Sequence, residues 1–547
     1  MIRENGDFNR NRALRKNRGA PHFECFFIFV PLMGRFMTHT APNIVLIMAD
    51  QLAPHFIGAY GHKVVKTPHM DALAARGMRF DAAYCNSPLC APSRFSFMSG
   101  QHISRIAAYD NASEFRSQVP TFAHYLQLMG YATCLSGKMH FVGPDQMHGF
   151  QDRVTTDIYP SDYAWTPEWE ANDERIDKWY HNMQTVKESG MAMATFQIDY
   201  DDEVGFAAQR KLFDYARDES LPFCMVASFI HPHDPYVARP EWWNLYSDDQ
   251  IDMPATDIAM EDQDPYSKRL LNGIEAAYIP LTDAEVIRAR RAYYANVSYF
   301  DSKVGQLVQT IEDMGQLDNT IFIVTADHGD MLGERGLWYK MNFFEHSARV
   351  PLIMAGPGVA QGSHPNACSL ADMLPTLVDI AATQGAAKPD FGQAIDGRSL
   401  WPAAQGKGDI KSEAIGEYCA ECAGAPVVMI RRDDFKYIHC DGDPAQLYNI
   451  THDPAERVNL ATDPAHADVA AAFAAEVADR WDLSALKADV IATQRSRRAL
   501  HAAMEAAKAK GGGEHWDYQP PNDASQQYVR NHSDWTVQAE RFRFPKV

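Results

Sequence analysis

NIVLIMADQ, residues 43–51, is an apolar, β-branched run that ends in a carboxylate and an amide. A run with no polar face fits a strand buried within a mainly parallel sheet. FCMVASFIHPHDPY (223–236) repeats the pattern and ends in histidines, and TIFIVTADHGD (320–330) repeats it again with Asp and His at its end. Ligand groups in open α/β sheets gather at the carboxyl ends of strands. Three strands are therefore expected to deliver polar groups to one rim.

Helical segments lie between these runs. TPHMDALAARG (67–77) starts with Thr-Pro and stops at Gly, a common pair of helix boundaries. Residues 283–315 form a long periodic segment that leads into the third run. The alternation makes the fold class α/β, with a large, mainly parallel sheet sandwiched by helices. After about residue 405 the character changes. PVVMIRRDDFKYIHC (426–440) alternates as antiparallel strands do, 466–510 is Ala-rich and helical, and 511–535 is punctuated by Gly and Pro yet carries aromatics and acids. We expect a main domain over 37–405, a smaller C-terminal α+β subdomain with helices over 406–510, and an extended tail over 511–547. Residues 1–36 join a basic stretch to a short apolar run containing Pro31. That run lacks a clear small-residue cleavage site and is too short to span a membrane. We read it as an N-terminal extension, disordered or the product of a misplaced start upstream of Met37.

With 46% apolar and 22% charged residues, the chain has the composition of a soluble globular protein. Its net charge of −20 argues against nucleic acid or an anionic membrane as partner. An anionic substrate then needs cations gathered locally. Nine cysteines at irregular spacing do not make a disulfide framework, which favours a reducing, cytoplasmic setting. Cys419 and Cys422 form a CxxC pair without a second pair nearby, and their redox or zinc reading is the minor one.

LCAPSR (89–94) puts Cys90 four residues before Arg94, and ADQ (49–51), GKMHF (137–141), HPHDP (231–235) and ADHGDMLGERGLWYK (326–340) accompany it. In this order, over roughly residues 40–465, the set resembles the sulfatase family of the alkaline-phosphatase-like superfamily. MSGQ (98–101) departs from the family's usual Thr-Gly-Arg and weakens the signal for modification of Cys90. The resemblance implies that a formylglycine-generating or equivalent maturating enzyme oxidises Cys90 to formylglycine. The hydrated aldehyde then attacks sulfur with one hydroxyl and expels sulfate with the other. A serine would be left as a stable sulfate ester. The resemblance also implies one divalent metal ion on Asp50, Gln51, Asp327 and His328. Gln51 and His328 depart from the family's commoner Asp and Asn, and the imidazole makes Mn²⁺ a candidate beside Ca²⁺. Lys138, His140, His233 and Lys340 resemble the sulfate cradle, and Arg94 the residue that fixes the formylglycine. His140 is the expected base for the hemiacetal proton. His233, helped by Lys340, is the expected acid for the leaving oxygen, with His231 the lesser candidate.

Finer stretches, QLAPHFIGAYGHKVVKTPHMDALAARG (51–77), SRIAAYDNASEF (104–115), TTDIYPSDYAWTPEW (155–169) and WDYQPPNDAS (516–525), resemble the choline-sulfatase branch. The substrate implied is choline-O-sulfate. A quaternary ammonium has no proton to donate, so aromatic faces and carboxylates must hold it. Trp165, His181 and Glu417 resemble pocket residues of that branch, with Asn111 nearby. The tail is expected to reach a neighbouring subunit of a homodimer or homotetramer, where Asp534 completes the pocket. Within the same fold, a phosphonate monoester or phosphodiester hydrolase and an arylsulfatase remain alternatives. Outside enzymes, the alternative is a binding protein with Cys90 unconverted.

Overall fold

The computed structural model describes residues 41–171, 181–218 and 221–520. The extension 1–36, the tail beyond Pro520 and with it Asp534 lie outside the described residues.

The run at 43–51 forms β1 (Asn43–Asp50), in which every residue is buried. The other members of its sheet are β2 (Met78–Phe80), β3 (Ala132–Gly137), β4 (Asp152–Arg153), β5 (Phe223–Pro232), β6 (Thr320–Ala326), β7 (Leu352–Ala355) and β8 (Gly362–His364). Their order is β8-β2-β7-β6-β1-β5-β3-β4. All neighbours are parallel except β7, which runs antiparallel to both β6 and β2. The three apolar runs are thus adjacent at the centre, which explains why they carry no polar face.

Two helix groups flank the sheet. In one, α1 (Pro68–Ala75), α3 (Phe196–Arg217) and α4 (Asp283–Asp313) pack together; in the other, α2 (Cys90–Ser99) packs on α5 (Met373–Ala381). Thr282 and Glu285 start α4 with a reciprocal capping box, which satisfies two otherwise orphaned N–H groups.

The C-terminal region is a four-stranded antiparallel sheet, β9 (Glu413–Tyr418), β10 (Val427–Arg432), β11 (Phe435–Cys440) and β12 (Gln446–Asn449), paired in sequence order. Phe473 and Val477 of α6 (Ala467–Arg480) close its core against Val428, Ile430 and Tyr437. The helical stretch is broken at Trp481, and Asp482 caps the start of α7 (Leu483–Lys508).

Candidate active site

Asp50 ends β1, Asp327 and His328 follow β6, His233 follows β5, and Lys138 and His140 follow β3. These are four consecutive parallel strands in the sheet, so their carboxyl ends share one rim. Gly137 makes the turn out of β3 at a φ of +105°, and a Cβ there would lie 1.9 Å from the Ser228 carbonyl oxygen. Only glycine fits that close approach.

Cys90 opens α2 at this rim, its Sγ 3.3 Å from His328 Nε2 and 3.8 Å from Asp50 Oδ1. One turn on, Arg94 is fully buried and donates from Nε to Asp327 Oδ2 at 2.8 Å, and from Nη2 to Asp50 Oδ2 at 3.1 Å. Its Nη1 donates to the Lys138 carbonyl at 2.6 Å and to Ser228 Oγ at 2.8 Å. Arg94 thereby ties α2 to three strand ends. Lys138 Nζ also donates to Asp50 Oδ2.

Single ligand atoms of Asp50, Cys90, Asp327 and His328 all lie within 4.8 Å of one another and are buried. Two carboxylates and an imidazole suit a divalent cation. His328 Nδ1 lies 3.0 Å from the Gly329 carbonyl, which fixes the N–H there and leaves the Nε2 lone pair facing Cys90. Gln51, at a left-handed φ of 63°, sits beside this group. Its backbone N–H donates to Asp327 Oδ1 at 3.1 Å, its Oε1 accepts from Lys340 at 2.6 Å, and its Nε2 donates to Asp330 Oδ2 at 2.7 Å.

The electrostatics follow from burial and the cations. Burial opposes ionisation of Asp50, but Lys138, His233 and Arg94 hold it well below the usual carboxylate range. Burial, and secondarily the Asp50 charge, push the Cys90 thiol up to about 12. An unmodified Cys90 is therefore a poor nucleophile. Burial lowers His328 to about 4, and burial with Lys138 and Arg94 holds His140 well below the usual histidine range.

Lys340 Nζ lies 2.8 Å from His233 Nε2, and the Tyr159 hydroxyl 3.1 Å from the same nitrogen. His233 Nδ1 is 2.6 Å from the Asp234 carbonyl, so Nε2 is the nitrogen that faces Lys340 and Tyr159. His231 instead turns to Asp201 of α3, 2.7 Å away. Among the described residues, neither ring nitrogen of His140 nor Nδ2 of Asn111 has a hydrogen-bond partner, although all three atoms are buried. Leaving a buried polar atom unpaired costs about 1–3 kcal/mol, so each of these atoms calls for a polar partner, a water or a ligand.

The remaining expected residues divide. Asn111 Oδ1 accepts from Ala91 N at 3.0 Å, in the first turn of α2. Trp165 packs edge-on against His140 and Tyr159, with centroids 5.8 and 5.1 Å apart. His181 stacks on Tyr339 at 4.4 Å and lies 5.5 Å from the His233 ring, its Nδ1 3.3 Å from Asp234 Oδ1. The Glu417 carboxylate is already engaged within the protein. It accepts from Ser104 N and Oγ, both at 2.8 Å, and from Trp481 Nε1 at 2.7 Å. Three donors occupy it as a tie between the main domain and the C-terminal helices.

Three residues lay within quoted motifs without a role. Tyr159 presents its ring 3.9 Å from Lys138 Nζ. Asp234 lies between His181 and His233. Asp157 Oδ2 accepts from Met139 N and His140 N at 3.1 and 2.8 Å, which holds His140 in its left-handed φ of 59°. The only sequence signal for them was their nearness to motif histidines and aromatics.

Comparison with known proteins gives three family-model matches. "Sulfatase" covers residues 42–383, "N-sulphoglucosamine sulphohydrolase, C-terminal" 333–482, and "Choline sulfatase enzyme C terminal" 488–544. The choline-sulfatase of Rhizobium meliloti is 46% identical over 93% of this chain and all of its own length. An arylsulfatase of Clostridium perfringens is 27% identical over 75% of this chain and 90% of its own. Among solved structures, the phosphonate monoester hydrolase of Agrobacterium radiobacter superposes with a TM-score of 0.63 at 22% identity, covering 82% of this chain and 96% of that one. The match at that identity is one of fold.

Proposed function

Because the chain belongs to the sulfatase family, we propose that it hydrolyses choline-O-sulfate to choline and sulfate. The observation that carries this reading is a near-full-length likeness to a choline-sulfatase in a chain whose buried rim brings Cys90 among two carboxylates, an imidazole and cations. A formylglycine made from Cys90 supplies a hydrated aldehyde as nucleophile. A divalent cation, Ca²⁺ or Mn²⁺, held by Asp50, Asp327 and His328 with Gln51 alongside, supplies positive charge beside it.

The chain's own side chains do the rest. Arg94, pinned by Asp50 and Asp327, holds the start of α2 in register with the strand ends. Lys138 and Lys340 offset charge developing on the sulfate oxygens. His233 keeps its Nδ1 proton on the Asp234 carbonyl, so proton transfer runs through Nε2. Lys340 faces that nitrogen, and the pair delivers a proton to the departing alkoxide, a poor leaving group without one. His140, with both ring nitrogens open to a ligand, takes the proton that releases sulfate. We assign the wall toward the choline end to Asn111, Trp165, His181 and the Glu417 carboxylate, and the half-buried indole of Trp165 is suited to a quaternary ammonium.

We read residues 37–405 as the catalytic domain, 406–510 as its C-terminal subdomain and the tail as an oligomer contact in a homodimer or homotetramer. A cytoplasmic setting with a maturating enzyme completes the proposal. Among the described residues no helix is long and apolar enough to cross a membrane. The test is a kinetic comparison of choline sulfate, an aryl sulfate and a phosphodiester. Choline sulfate is expected to have the highest kcat/KM. Equal or better turnover of the phosphodiester overturns the substrate assignment.

A further inference from the structure

The described start of the tail meets its own chain, on the loop that walls the active site. Tyr518 donates its hydroxyl to the Arg153 carbonyl at 2.9 Å and stacks 4.8 Å from the Arg153 guanidinium. Asp517 Oδ1 accepts from Ser161 Oγ at 2.9 Å, and Trp516 packs edge-on against Tyr163 with centroids 5.2 Å apart. Between these anchors lie Asp157 and Tyr159. Arg153 Nη2 donates to Asp157 Oδ2 at 3.1 Å, the same oxygen that accepts from the backbone of Met139 and His140. Asp157 Oδ1 accepts from Ile158 N and Tyr159 N at 2.8 and 3.3 Å. A continuous chain of contacts thus runs from Tyr518 through Arg153 and Asp157 to His140, whose left-handed backbone requires an external hold.

We propose that residues 516–518 are an intramolecular strap, and that Asp517 and Tyr518 are positioning residues that keep the 153–163 loop, and through Asp157 the His140 turn, in working geometry. The proposal rests on the reading of His140 as part of the active site. It assigns the head of the tail a task in its own subunit, separate from any contact between subunits.

Hydrogen exchange and steady-state kinetics on full-length Asp517→Ala, Tyr518→Ala and Tyr518→Phe proteins test it. Both alanine variants are expected to exchange faster across residues 138–163 while peptides of the β1 strand stay protected. Because small misplacements of reacting groups are expensive, their kcat for the sulfate ester that wild-type protein turns over fastest should fall about tenfold, with KM within about threefold. Tyr518→Phe retains the stacked ring and should keep at least half of wild-type kcat. Unchanged exchange at 138–163 overturns the strap. Faster exchange throughout, including β1, also overturns it, since the segment would then only stabilise the whole fold. Local loosening with unchanged kcat overturns the positioning role. The exchange measurement uses no substrate, so its failure is distinct from a failure of the choline-sulfate assignment.

Discussion

Asp50, Asp327 and His328 stand at the ends of strands buried along their whole length. Asn111, Tyr159 and Trp165 stand on loops that distant parts of the chain hold in place. The floor is fixed by the sheet itself. The wall depends on long-range ties: Arg497 of α7 grips Asp110 beside Asn111 with both amino groups, at 2.5 and 2.6 Å, and Gln494 accepts from Trp169 N at 2.9 Å. On the proposed roles, such a division lets a common chemical floor serve different esters through changes in the wall.

Variants can break or sharpen this contrast. The largest effect belongs to the floor. Asp327→Asn removes a carboxylate from both Arg94 and the cation site, and kcat/KM should fall roughly a thousandfold for every sulfate ester. Elemental analysis should show the metal lost with it. At the junction of floor and wall, Tyr159→Phe removes the hydroxyl from His233 Nε2. It should lower kcat about tenfold for choline sulfate and less for an aryl sulfate, whose better leaving group needs less help from an acid.

Within the wall, Trp165→Ala should raise KM for choline sulfate about fivefold, the scale of one cation–π contact, and leave an aryl sulfate, which has no cationic group, nearly unaffected. Glu417→Ala should raise KM for choline sulfate more than for an aryl sulfate, while costing about 2 kcal/mol of stability because three donors lose a buried acceptor. Thermal denaturation checks the second part. Equal effects on the two sulfates would make Glu417 a structural residue only. The smallest expected effect concerns Cys90 in protein made without a maturating enzyme. With its thiol pushed up from about 9 to about 12, it stays protonated at pH 8. Iodoacetamide should leave it intact in the folded protein, as read by peptide mass spectrometry.

The floor was legible in the sequence because its residues adjoin strand-long apolar runs. NIVLIMADQ and TIFIVTADHGD each carry a strand and the polar residues at its end in one unbroken stretch. The parallel order of β6, β1 and β5 then needs only the rule that ligands gather at carboxyl ends. Cys90 and Arg94 were legible for a similar reason, since one helical turn separates them. The antiparallel pair at 426–440 also follows its alternation, as β10 and β11.

The wall was less legible because its geometry is set by partners remote in sequence. Nothing around Asp157 announces that its carboxylate holds the backbone of Met139 and His140. The resemblance makes Glu417 a pocket carboxylate without showing that Ser104 and Trp481, which the break between α6 and α7 delivers, hold it. The head of the tail likewise showed aromatics and acids without showing that Arg153 and Ser161 receive them.

The most direct test of this account is the ratio of kcat/KM for choline sulfate to that for an aryl sulfate without a cationic group, in wild-type, Asp327→Asn and Trp165→Ala proteins. If the floor performs the chemistry and the wall selects the ester, Asp327→Asn lowers both terms and preserves the ratio, whereas Trp165→Ala reduces the ratio with little loss on the aryl sulfate. A ratio changed by Asp327→Asn and untouched by Trp165→Ala would contradict the account.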